Sequence, residues 1–229
     1  MAQSVSRAVR EILSTSAYLH FPLENRLLND SAVANFIKLR VEEKVGKKVP
    51  QGAVTAAVRR FTLSFAPGEK TINLIRFLKS LKIQLRTGLV EVNLKRSNKA
   101  SEKLALLAKK IKWEQGEKMY VLQRAGEITV IANKKHLPDI LACAPKKDVW
   151  ETQDGRAVVN LVFDPKIEES SYGGAHFITG VFAYAGVVIH QFFSTYSADS
   201  FVIKEKDVSL VYRNLSEALN EIHALYPEI

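Results

Sequence analysis

Ala157-Val-Val-Asn-Leu-Val-Phe163, Gly174-Ala-His-Phe-Ile-Thr-Gly-Val-Phe-Ala183, Val187-Val-Ile-His-Gln-Phe-Phe-Ser-Thr-Tyr196 and Ser200-Phe-Val-Ile203, with the amphipathic stretch 207–222 behind them, form the segment whose reading decides the fold. An apolar, β-branched run reads as a buried strand, and a longer apolar run between glycines reads as a helix closing at Ala185-Gly186. Two further strands and a second helix complete the order βαββα. That order closes a small antiparallel sheet with both helices on one face, a layer suited to binding or pairing.

The same order occurs upstream. Leu89-Val-Glu-Val-Asn-Leu94 precedes a helix over 98–111, the strands Lys118-Met-Tyr-Val-Leu-Gln-Arg124 and Glu127-Ile-Thr-Val-Ile-Ala132, and a shorter helix over 135–142. Ile128-Thr-Val-Ile131 and Ser200-Phe-Val-Ile203 are read as equivalents about 70 residues apart. Two repeats are too few for a solenoid, so a side-by-side pair sharing one extended sheet is expected.

The 229 residues include a single cysteine, Cys143, which excludes an internal disulfide and suits a reducing cytosol. Its Leu-Ala-Cys-Ala setting predicts a small buried hydrophobe. Arg7, Arg10 and Glu11 interrupt the first apolar stretch, and the run 173–193 contains two histidines and a turn, so neither a leader nor a membrane span is expected. The expected location is cytoplasmic, with no membrane partner.

The net charge of +9 is uneven: residues 1–66 carry ten Lys/Arg against five acids, 67–155 eighteen against ten, and 156–229 five against nine. A basic front can touch an anionic polymer or simply keep the chain soluble. Residues 1–66 read as helices over 4–13, 31–45 and 53–65, with a helical or turn segment over 19–28 between the first two. Val5, Val9, Ile12, Leu13, Val33, Phe36, Ile37, Val41, Val45, Val54, Val58, Phe61 and Phe65 are their apolar stripes. Three helices with a short turn before the last make a helix-turn-helix-like unit. The nucleic-acid candidates are Gln51, Thr55, Arg59 and Arg60 for base edges, with Lys47 and Lys48 for phosphates. In the competing reading Arg59 and Arg60 merely solvate an outer face. Residues 67–82 read as a connecting amphipathic helix with Ile72, Leu74, Ile75, Phe77 and Leu78 on its stripe.

Residues 157–223 resemble an ACT domain, a small regulatory βαββαβ module that often senses amino acids. The matching features are Gly173-Gly174 before the first helix, the Ala185-Gly186-Val187-Val-Ile189 passage into the second strand, Phe193-Ser-Thr-Tyr196, Asp199-Ser-Phe-Val-Ile203, and Lys206-Asp207 opening a helix with Tyr212 and Leu215. Residues 83–155 match more loosely. The resemblance implies an α+β chain: a helical domain (1–66), a connecting helix (67–82) and two ferredoxin-like ACT-type repeats (83–155 and 156–229). A helical front followed by paired repeats is similar to prokaryotic, especially archaeal, regulatory proteins.

By position, the resemblance implies a ligand site at Asp164, Ser171, Tyr172, Gly173 and Gly174, with Ala175 and His176 opening the helix and backbone near Val188 and His190 adding to it. Glycines admit a ligand to the backbone, and a helix start attracts a carboxylate. Tyr172 stands where the family usually has proline, Val188 where asparagine is common, and Glu168 and Glu169 lie in an unusually long loop. No phosphate loop, zinc spacing or nucleophile elbow occurs, so no catalysis, cofactor or metal is expected. The expected function is a non-enzymatic regulator that binds an amino acid or related effector and DNA, working as a homodimer. The alternative is an allosteric or assembly subunit of an amino-acid metabolic enzyme, docking through its helical domain.

Overall fold

The first strand of each repeat is twice as long as its apolar run. In the computed structural model, which describes residues 3–16, 19, 22–23, 27–64, 69–168 and 171–229, β1 covers Lys82–Lys95 and β4 covers Val149–Val162, 14 residues each. They pair antiparallel along their whole length, from Lys82 opposite Val162 to Leu94 opposite Val149, with the ladder broken around Gly88 and Gly155. Both glycines have positive φ, 68° and 66°, which bends the two strands at their middles.

β2 (Met119–Gln123), β3 (Glu127–Asn133), β5 (Gln191–Thr195) and β6 (Ala198–Lys204) complete one six-stranded sheet in the order β2-β3-β1-β4-β6-β5. Every neighbouring pair is antiparallel. The mixed α/β class and the single shared sheet therefore agree with the sequence reading. The fourth strand of each repeat, not visible in the sequence, is supplied by the other repeat. Residues 149–153 of β4 border the first repeat, and residues 82–86 of β1 border the second.

Alternation assigns the two faces. Val90, Val92 and Leu94 lie in one core with Leu104, Leu107 and Ile140, from α5 (Asn98–Ala108) and α6 (Leu137–Leu141). Ala157, Val159 and Leu161 lie in a second core with Ile178 and Phe182 of α8 (Gly174–Tyr184) and Val211 and Leu215 of α9 (Val208–Leu225). A one-turn helix, α7 (Pro165–Glu168), follows β4. The opposite face carries Leu89, Ile131, Val158 and Val202. There the rings of Tyr120 and Phe193, from the two outermost strands, stand 5.1 Å apart, so the sheet curls until its edges meet. Inside this curl Arg156 Nε donates to Glu91 Oε2 at 2.8 Å, and Gln191 Nε2 donates to Glu91 Oε1 at 2.9 Å.

Several sequence expectations need correction. The run 187–196 is strand only from Gln191, because Val187 is held by its N–H to Phe182 O at 3.0 Å and closes α8 instead. The helix expected over 135–142 is a 3-10 turn, Lys134–His136, followed by five α-helical residues. Thr129, opposite Asn93, is the partner of Ser200, opposite Asn160, so the repeat register is one residue away from the sequence alignment.

The connecting helix α4 (Glu69–Ser80) buries Ile75, Phe77 and Leu78 in the second repeat's core. The chain folds as two compact units, Met1–Glu69 and Lys70–Ile229. In the first, α1 (Val5–Ser14), α2 (Asp30–Val45) and α3 (Gln51–Leu63) surround Val9, Ile12, Ile37, Val41, Val54 and Val58. Asn29 caps α2 by accepting the Ser31 N–H at 2.8 Å, and Gly46 (φ 76°) ends it. Phe36 is outside this core, 64% exposed, and Ala34 takes the inward position. Half of 19–28, together with Phe65, lies outside the described residues. No described helix is long and apolar enough to cross a membrane.

Candidate functional site

The loop between β4 and α8 holds the glycines singled out from sequence. Gly173 sits at φ 97°, a left-handed conformation, and serves as the N-cap of α8. Gly174 is buried, and a Cβ there would lie 2.5 Å from Phe77 Cε1. Phe77 is 2% exposed and packs on Phe163 at a ring separation of 5.3 Å. A Cβ at Gly173 would meet Leu74 at 3.7 Å. The glycines thus give helix α4 its close approach, with Phe77 over Gly174 and Leu74 beside Gly173.

The remaining expected ligand residues scatter. Asp164 starts α7, its Oδ1 accepting the Lys166 N–H at 3.0 Å. Tyr172 is 68% exposed, and Ala175 and His176 are exposed. Because β5 runs parallel to β4, α8 carries the chain back across the sheet. Exposed Val188 and half-buried His190 therefore lie at the end opposite the Gly173 loop. Asp164, Ser171, Tyr172, Gly173 and Gly174 share one end; Val188 and His190 do not join them within one repeat. Burial, then Arg156, push the His190 imidazole below its ordinary value, and its Nε2 is buried without a hydrogen-bond partner among the described residues.

In the helical unit, Lys47 and Lys48 are exposed in the turn between α2 and α3, which is pinned by the Val49 N–H donating to Glu42 Oε1 at 3.0 Å. Gln51, Thr55 and Arg59 follow at four-residue spacing and share one side of α3. Thr55 Oγ1 turns back to Gln51 O at 3.1 Å, and Arg60 leaves that side to donate to Ser6 Oγ at 2.9 Å.

A third cluster escaped the sequence reading. A cavity of about 390 Å³ opens beside Gly88, Gln115, Gly116, Asn133, Lys134 and Lys135, with the buried Glu117 in its wall. Glu117 Oε1 accepts from Lys135 Nζ at 2.5 Å, while Oε2 accepts from the Lys112 N–H at 3.1 Å and contacts His136 Nε2 at 2.8 Å. Lys135 first, then the Lys112 N–H, hold its carboxyl down to about 2. The folded repeats show its counterpart. The Gly116 N–H to Trp113 O and Glu117 N–H to Lys112 O bonds match Gly186 N–H to Ala183 O and Val187 N–H to Phe182 O. Glu117 thus stands where the second repeat has buried Val187. Among the described residues no group of three or more His, Cys, Asp or Glu is placed to hold a metal.

The backbone arrangement has precedents. A crystal structure of aspartokinase alpha and beta subunits superposes with a TM-score of 0.51 at 16% identity, covering 65% of this chain and 99% of that one. The fold shared with that chain agrees with the ACT-type arrangement expected from the sequence. The ligand-free regulatory subunit of aspartate kinase from Thermus thermophilus gives a TM-score of 0.48 at 15% identity, over 61% of this chain and 97% of that one. The regulatory subunit from Thermus flavus gives 0.49 at 13%, over 61% and 98%. At these identities the likeness is one of fold. No protein-family profile and no curated protein sequence matches the chain.

Proposed function

We propose that this protein is a non-enzymatic ACT-type regulator whose paired repeats bind a small molecule such as an amino acid. The observation that carries the reading is the doubled βαββα sheet in which each repeat completes the other. Its fold likeness to a whole aspartokinase subunit chain supports a role as the regulatory partner of an amino-acid metabolic enzyme. An effector that reaches the backbone of Gly174 has to displace Phe77, which would move α4. Such coupling needs the effector to favour the displaced state by its own differential affinity.

Helix α2 of the N-terminal unit carries Phe36 and Leu39 on its outer side, 64% and 73% exposed, which favours a protein partner for that unit. DNA is the second reading, supported by the exposed Lys47, Lys48 and Arg59 and the half-buried Gln51. A thermal-shift screen of the standard amino acids tests effector binding, since a ligand at a hundred times its Kd stabilises by about 2.7 kcal/mol. A hit whose shift is lost in Gly173→Val supports the loop as the site, and flat melting across the panel removes the sensing role. Gel shifts at low and high salt separate the two partners. Salt-sensitive retardation selects DNA, and none at low salt leaves the protein reading.

A further inference from the structure

We infer that the cavity beside Lys134 and Lys135 is a second binding site, for a small metabolite bearing an oxyanion, either a carboxylate or a phosphate. It goes beyond the Gly173 loop and does not depend on it. Donors dominate its lining. The ammonium groups of Lys134 and Lys135 each hold one carboxylate partner, Asp154 and Glu117, and keep further N–H groups for a ligand. Asn133 accepts the Lys118 N–H through Oδ1 at 2.6 Å, which leaves its amide nitrogen as a donor.

Glu117 is enclosed by Lys135, His136 and the Lys112 N–H, so both its oxygens are already engaged and it anchors Lys135, as Asp154 anchors Lys134. Cations held in place before the ligand arrives lose little freedom on binding. Gly88 and Gly116 leave open space where a Cβ would stand, which widens the mouth of the cavity, while their N–H groups are held by Glu205 Oε2 and Trp113 O.

The fold does not require this arrangement, because the second repeat places Val187 at the position of Glu117. A buried carboxylate tied to Lys135 and His136 replaces a hydrophobic residue in one repeat only, and the cavity opens there. The site also spans the seam between repeats. The Gly88 N–H donates to Glu205 Oε2 at 3.1 Å, which brings the second repeat to its rim, and Lys134 pairs with Asp154 of β4. The volume suits a metabolite and exceeds what a lone ion needs. Eight excess positive charges in residues 67–155 draw anions toward it.

The test is calorimetric titration of the full chain with succinate, L-aspartate and inorganic phosphate, at matched ionic strength against sodium chloride. At least one probe is expected to bind saturably, with the carboxylates and phosphate separating the two chemistries. The double variant Lys134→Gln/Lys135→Gln should weaken it by about tenfold or more. Lys146→Gln/Lys147→Gln, with the same change of charge, and Gly173→Val should leave it within about twofold. Lys134→Gln alone, at an exposed side chain, serves if the double variant does not fold. No saturable binding by any probe overturns the site, as does undiminished binding in the Lys134 variant or equal losses in both lysine pairs. Loss only in Gly173→Val would overturn it while leaving the loop reading intact.

Discussion

Glu117 and Val187 fill corresponding positions, yet only the first carries charge, and the consequence is acid sensitivity. In the unfolded chain the Glu117 carboxyl titrates near its ordinary 4.5; in the fold Lys135 and the Lys112 N–H hold it at about 2. Its contribution to stability is present above pH 4.5 and is lost as pH falls toward 2. Glu117→Gln should melt lower than the native protein at pH 7, and the gap should close between pH 4.5 and 2 in thermal scans. His190 gives the opposite chemistry with the same sign. Burial and Arg156 depress its pKa, so the fold keeps the neutral ring while the unfolded chain takes up a proton. That contribution is complete above pH 6.5 and is lost progressively below it. Met119 opens β2, and His190 stands at the entry to β5, its N–H donating to Val202 O at 2.8 Å. His190→Met should therefore flatten the decline in melting temperature from pH 7.5 to 5.5; an unchanged decline would assign it to other groups.

At the scale of elements, the contact between α4 and α8 depends on Gly174 having no side chain. Gly174→Ala places a methyl 2.5 Å from the buried Phe77 ring and should destabilise the protein by about 1–3 kcal/mol. Adding Phe77→Leu should return part of that loss, a coupling measurable by urea denaturation of the four variants. Purely additive losses would mean that the two residues do not share the contact. This pairing also marks where the sequence stopped being legible. The alternation of Ala157, Val159 and Leu161 and the stripe of Ile75, Phe77 and Leu78 were readable, because periodicity reports which side of an element is buried. The partner of each face was not readable. Gly173-Gly174 looked like an opening for a ligand, since a missing Cβ signals close approach without naming what approaches. The distance between Val188 and Gly173 was hidden for a related reason: strand direction fixes which loops share an end, and composition does not record it. The Glu117 cluster was obscured because its partners, Lys112, Lys135 and His136, come from separate turns.

For the whole molecule, the decisive property is that neither repeat is a contiguous piece of chain. The second repeat, residues 156–229, lacks the strand 82–86 that covers the edge of β4, and also lacks Ile75, Phe77 and Leu78 of its own core. The ladder between β1 and β4 also carries the buried Glu91–Arg156 pair, with side chains 4% and 7% exposed, between strands of different repeats. Breaking that pair by Arg156→Ala leaves a carboxylate uncompensated and should cost about 3–5 kcal/mol. Residues 70–229 should accordingly unfold in one transition, and 156–229 alone should not fold stably. The remedy follows from one contact: Lys79 Nζ donates to Tyr226 O at 2.9 Å, placing the end of α4 beside the end of α9. Helix α4 has 12 residues and so is about 18 Å long. A flexible linker of about ten Gly/Ser residues reaches about 17 Å, enough to join residue 226 to residue 70. The permuted chain 156–226, linker, 70–87 should melt cooperatively in urea, because the missing strand again closes the β4 edge. A control ending at residue 81 supplies α4 without the strand and should be markedly less stable. Equal stability of the two, or a stably folded 156–229, would show that strand exchange does not bind the repeats into one cooperative unit.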